Sequence, residues 1–266
     1  MINKKLLALI CVSSMVLSLA ACGSAEQKAA DPAPEAVEST DTAEAPEKEE
    51  VSEPATEEDT AEETEEVSEE SESSAEFSLG TINGNVYEND FLGIRIAIPD
   101  DMAFANEEEL AQLSSTTADL LKDQAKVKDM IENGSVIIAC YASTDNSKSP
   151  LYTINLTMQS FSSMGLSAIA VKNFSEEDIL SAASDSVIQA LGNGGFTNVK
   201  TNIEDVEFLG EKHASMSITA EIEGYGTLYE REVVVISNDC IASYTASAFG
   251  TDSDETTDVL KYVQKY

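Results

Sequence analysis

Tryptophan is absent from the 266-residue chain, histidine occurs once, and Lys and Arg together number 15 against 50 Asp and Glu. Each shortage removes a class of function. Nucleic acid is bound by displacing counterions with Lys and Arg, so a net charge of −35 excludes a nucleic-acid partner. The same deficit excludes a polybasic membrane-surface protein. A lone histidine gives no second imidazole for a metal centre and no obvious partner for a Ser or Cys triad. Long apolar runs are missing too. The longest, residues 6–21, is interrupted by Ser13, Ser14 and Ser18 and falls short of the about 20 residues a membrane helix needs.

What is present is unevenly spread. Residues 1–22 carry Lys4 and Lys5 and no acid, a charge of +2. Residues 23–76 carry 21 acids against Lys28 and Lys48, a charge of −19. Residues 77–266 carry 29 acids and 11 bases, a charge of −18, and all 16 Phe and Tyr side chains. These regimes define a leader (1–21), an acidic segment (22–76) and a globular part (77–266).

The leader has a short basic start and an apolar stretch of secretory length. It ends in Leu19-Ala20-Ala21-Cys22, followed by Gly23 and Ser24. This resembles the lipobox of bacterial lipoproteins. The resemblance implies that Cys22 becomes a diacylglyceryl thioether and the mature N-terminus, anchored at the extracytoplasmic face of a bacterial cell membrane. Two acyl chains suffice for stable anchoring, at about 0.8 kcal/mol per buried methylene. The alternative is ordinary secretion, with cleavage after Ala21 or near Ala25. No cofactor is expected beyond the covalent diacylglycerol and acyl lipid on Cys22.

The acidic segment has no aromatic residue, and Val37, Val51 and Val67 are its only branched apolar side chains. Such a chain buries too little surface to offset its entropy and is expected to be a disordered linker. Without charge it would span about 40 Å, and repulsion lengthens it towards a limit of about 180 Å. Loose cation condensation is the alternative role, since a tight site needs a fixed oxygen cage.

In the globular part, alternation and turn signals predict strands over 92–98, 135–143, 151–160, 199–209, 212–222, 225–237 and 240–249. Asn106 before Glu107-Glu108-Glu109 predicts one helix running to Asn133-Gly134. Ser175 before Glu176-Glu177-Asp178 predicts a second, ending at Gly192-Asn193-Gly194-Gly195. A last helix is expected after residues 251–254, carrying Val259, Leu260 and Val263. The order is that of an α+β domain, an antiparallel sheet with helices packed on it. Tyr87, then Phe91-Leu92-Gly93-Ile94, the strand ending Ile98-Pro99-Asp100, and the final meander with its helix resemble the Mog1/PsbP-like α/β/α sandwich. That family implies a binding or accessory role, and no site residue follows from it.

Candidate site residues are few. His213 falls with Ser215, Ser217 and Thr219 on the side of its strand away from Ala214, Met216 and Ile218, which predicts a solvated residue. Cys140 and Cys240 both lie mid-strand, either as a disulfide of an exported domain or as two buried thiols. The acids of residues 252–258 fit a helix N-terminus better than a calcium loop. Thr153, Asn155 and Thr157, with Ser215, Ser217 and Thr219, and with Ser243, Thr245 and Ser247, form uncharged polar strand faces. If their strands adjoin, they make a hydroxyl-rich surface that can hold a glycan or peptide; Thr also simply suits strands. No enzyme signature or metal site emerges. The expectation is a membrane-anchored, non-catalytic binding or interaction module facing an unknown protein, peptide or glycan at the cell surface. The alternatives are a substrate-binding component of a transporter and a hydrolytic lipoprotein with an unrecognised site.

Overall fold

The computed structural model describes residues 77–114, 116–145, 149–164, 174–224, 226–237 and 240–266. The leader, Cys22 and the acidic segment lie outside the described residues. Among the described residues, no helix is long and apolar enough to cross a membrane.

Four short strands, β1 (Thr81–Asn83), β2 (Val86–Asn89), β3 (Ile94–Ala97) and β11 (Val263–Lys265), pair antiparallel in the order β1-β2-β3-β11. Seven more make the main sheet: β4 (Met102–Phe104), β5 (Ser135–Ser143), β6 (Leu151–Ser160), β7 (Thr197–Phe208), β8 (Glu211–Ile222), β9 (Gly226–Ser237) and β10 (Cys240–Phe249). Their order is β4-β5-β6-β10-β9-β8-β7, antiparallel throughout. The helices are α1 (Glu107–Leu113), α2 (Ala118–Leu121), α3 (Gln124–Asn133), α4 (Glu176–Asn193) and α5 (Thr256–Leu260). The α+β class expected from the sequence is the class observed.

Period-two alternation sorts the main sheet into two faces. One face presents Ile154, Leu156, Met158, Ala242 and Tyr244 to the small sheet and α3, forming the larger core with Ile94, Ile96 and Ile131. The other carries α4, whose Leu180, Ala183, Val187 and Leu191 cover Met216, Ile218 and Leu228. At the far end of that same face, Leu110 and Leu113 of α1 cover Ile137 and Ala142.

Both expected helix starts are capping boxes. The Asn106 side chain accepts from the N–H groups of Glu108 and Glu109, and Glu109 accepts from the N–H of Asn106. Ser175 and Asp178 do the same for α4.

Two helical expectations fail. The helix expected over 106–133 is broken into α1, α2 and α3. Thr117 has extended backbone, and Asp123 uses its side chain to cap α3 at the N–H of Lys126. Residues 114–117 are all Ser or Thr, weaker helix formers than the Ala, Leu and Glu of α1. The last helix stops at Leu260, and Val263 sits instead in β11 opposite Ile96. A β-branched residue there completes the small sheet.

Candidate functional site

The polar strand faces of β6 and β10 do adjoin. Thr153 stands opposite Ser247, Asn155 opposite Thr245, and Thr157 opposite Ser243. The next strand adds residues the sequence reading overlooked: Ser247 also faces Glu230, and Thr245 also faces Glu232. Cys140 of β5 extends the middle row from Asn155. The rows form a polar tract between the part of this face covered by α1 and the part covered by α4.

The tract is closed to solvent: Glu230 is 0% exposed, Glu232 1%, and Thr153, Thr157 and Gln159 4% each. Ser247 donates to Glu230 Oε1 at 2.8 Å, and Ser243 donates to Glu232 Oε1. Burial pushes the Glu232 carboxyl up to about 7; the Ser243 hydroxyl opposes this, and the neighbouring Glu230 charge adds to it. The hydroxyls of Thr153, Thr157 and Thr245 and Nε2 of Gln159 find no partner among the described residues. A buried polar group satisfied by neither protein nor water costs about 1–3 kcal/mol.

Ser215, Ser217 and Thr219 do not belong to this surface. They pair with Val233, Arg231 and Tyr229, which places them on the opposite face, and β9 separates their strand from β10. Their polar capacity is also spent locally. Ser215 Oγ donates to the Glu204 carbonyl at 2.9 Å, and Ser217 Oγ to that of Asn202 at 3.2 Å. Parity within one strand cannot assign a common face to two strands separated by a third.

That opposite face has its own buried charge. Arg231, 6% exposed, donates through Nη1 to Glu204 Oε1 at 2.8 Å and Ser215 Oγ at 3.0 Å. Its Nη2 donates to Asp254 Oδ2 at 3.0 Å, and Nε to Thr256 Oγ1 at 3.3 Å. Burial pushes the Asp254 carboxyl up, but the Thr256 hydroxyl and N–H together with Arg231 hold it below its ordinary value. The expected acids before the last helix therefore serve a fold contact as well as a helix start.

His213 is not solvated. Its Nδ1 lies 2.8 Å from Glu176 Oε1, its ring stands edge-on to Phe208, and its side chain is 12% exposed. The other Glu176 oxygen accepts from the N–H of Ala214, just where the β8–β9 ladder ends. This pins the start of α4 to the sheet. Cys140 and Cys240 are not joined: they point to opposite faces, with β6 between their strands.

A cleft of about 660 Å³ opens between β1, β4, α1 and α3. Tyr87, Phe104, Val127 and Ile138 line its apolar wall. At its rim Lys122 pairs with Glu107 at 2.9 Å. Nothing in the local sequence marks it, because it forms where the edges of two separate sheets meet helices α1 and α3.

No family model and no curated protein matches the chain. In structure it is similar to LpqN, involved in cell envelope biogenesis of Mycobacterium tuberculosis, at 13% identity and a TM-score of 0.33 over 64% of this chain and 76% of that one. It is also similar to cyanobacterial PsbP (CyanoP) from Synechocystis sp. PCC 6803, at 10% identity and a TM-score of 0.41 over 72% of this chain and 98% of that one.

Proposed function

We propose that residues 77–266 are a non-catalytic binding module at the extracytoplasmic face of a bacterial membrane, held by lipid on Cys22 and spaced from the bilayer by the acidic segment. The observation that carries the binding role is the tract on β6, β10 and β9, with its two buried carboxylates and its unpartnered hydroxyls. Packing alone is served more cheaply by apolar residues. The tract's chemistry suits a ligand rich in hydrogen-bond donors and acceptors, such as a cell-surface glycan. The carboxylates of Glu230 and Glu232 accept from ligand hydroxyls, and the threonine hydroxyls and Gln159 supply both donors and acceptors. The tract's side chains are buried in this structure, so ligand binding requires a rearrangement that exposes them.

Thr157→Trp and Ser217→Trp test the site, because the two residues lie on opposite faces of one sheet. Retention on purified cell-wall glycan is expected to fall at least about tenfold for Thr157→Trp and to stay unchanged for Ser217→Trp. Equal retention by both variants sinks the assignment. The anchor is tested separately by metabolic labelling with palmitate, which Cys22→Ala is expected to abolish.

A further inference from the structure

The outer edge of the main sheet is β7, without proline and exposed along most of its length; a bulge near its start, between Thr197 and Lys200, leaves Lys200–Phe208 in regular register with β8. An open edge is a template for another strand, and proteins that avoid pairing blunt it with proline, short length, charges or bulges; the β7 bulge lies at its first residues and leaves the stretch from Lys200 on regular. Here a single lysine, Lys200, lies among Glu204, Asp205 and Glu207.

The direction of the free backbone groups follows from two contacts. The carbonyls of Asn202 and Glu204 accept from Ser217 and Ser215 of β8, so the even-numbered residues turn their backbone groups inward. By alternation, Thr201, Ile203 and Asp205 turn their N–H and C=O groups to the open side. An added strand must bond to these.

We propose that β7 pairs antiparallel with β7 of a second copy about a two-fold axis at Asn202, so that the two main sheets become continuous. Charge selects this register. With Asn202 opposite itself, Thr201 faces Ile203 in the bonded positions and Lys200 faces Glu204. Lys200 has no ion-pair partner among the described residues. Arg231 fixes the Glu204 side chain through one oxygen while leaving it 44% exposed. A slip that sets Glu204 opposite itself puts like charges together, which is unfavourable. The interface is isologous, so each copy supplies both halves of the Lys200–Glu204 pair, and the contact closes as a dimer. Edge pairing alone buries little area, so the dimer dissociates on dilution and is favoured where copies are concentrated on one membrane.

The register makes Asn202 a non-bonded pair with its own symmetry mate, with Cα atoms about 4.5 Å apart, within disulfide range. The test is oxidative cross-linking of the full-length protein in membranes, with Asn202→Cys and Asp205→Cys compared against the parent, whose own cysteines set the background. Asn202→Cys is expected to give a disulfide-linked dimer several-fold above both. Added Lys200→Glu is expected to lower that yield about tenfold, and Lys200→Arg to leave it unchanged. An Asn202→Cys yield equal to that of Asp205→Cys or of the parent overturns the proposal, as does indifference to Lys200→Glu.

Discussion

Glu230, Arg231 and Glu232 are consecutive on one strand, yet they meet opposite circumstances on the two faces of the sheet. Arg231 points into a network in which its three guanidinium nitrogens all donate, to two carboxylates and two hydroxyls. Glu230 and Glu232 point the other way, into a tract where hydroxyls go unpartnered and Glu232 retains its proton up to about pH 7. Both arrangements bury charge. The first ties β7, β8 and β9 to the loop before α5 through two carboxylates, whereas Glu230 and Glu232 accept from the hydroxyls of Ser247 and Ser243. The difference separates a charge tied into the fold from the carboxylates on which the proposed binding role rests.

The largest expected effect breaks the satisfied side. Arg231→Met removes four hydrogen bonds at once, two of them to carboxylates, and urea unfolding is expected to show a loss of about 3 kcal/mol. An unchanged midpoint would mean that the network adds nothing to the fold. Next in size is the pH dependence of the unsatisfied side. The folded pKa of Glu232 is raised to about 7 from 4.5, so the folded state holds a proton that the unfolded chain gives up between those values. Its contribution is complete below about pH 4.5 and is lost as pH rises through about 7. That loss reaches about 3 kcal/mol. Glu232→Gln is expected to flatten the stability profile across this window and to leave the protein more stable than the parent at pH 8. The smallest effects compare two hydroxyls. Ser215→Ala removes bonds to Arg231 and to the Glu204 carbonyl and is expected to cost about 1–2 kcal/mol. Thr245→Val removes a group with no partner and is expected to cost nothing or to stabilise slightly. Calorimetry on the pair decides; a larger loss for Thr245→Val would place the tract among the folding elements.

Much of the fold could be read from the chain before any coordinates. Strands β5 and β6 have the bounds their alternation predicts, and the two capping boxes start helices where Asn106 and Ser175 announce them. Continuity was harder to read than beginnings. Ser114 to Thr117 and Asp123 interrupt an apolar stripe that spacing alone carries through to Asn133. Half of the tract was legible, since Thr153, Asn155, Thr157 and the hydroxyls of β10 were grouped by parity. Ser215, Ser217 and Thr219 were misplaced because a face common to several strands depends on register across β9. Glu230 and Glu232 were missed because acids in a strand ordinarily read as solvated. The available signal was the run Val233-Val234-Val235 beside them, which marks the strand as central and buried. His213 looked solvated for a similar reason: Glu176, its partner, belongs to a helix far away in sequence.

The claim that the tract is kept for binding and not for folding has one direct measurement. The double variant Glu232→Gln with Thr245→Val is followed at pH 8 for melting temperature and for retention on cell-wall glycan. A melting temperature equal to or above that of the parent, together with lost retention, is the predicted result. A melting temperature lower by several degrees with retention intact would contradict it.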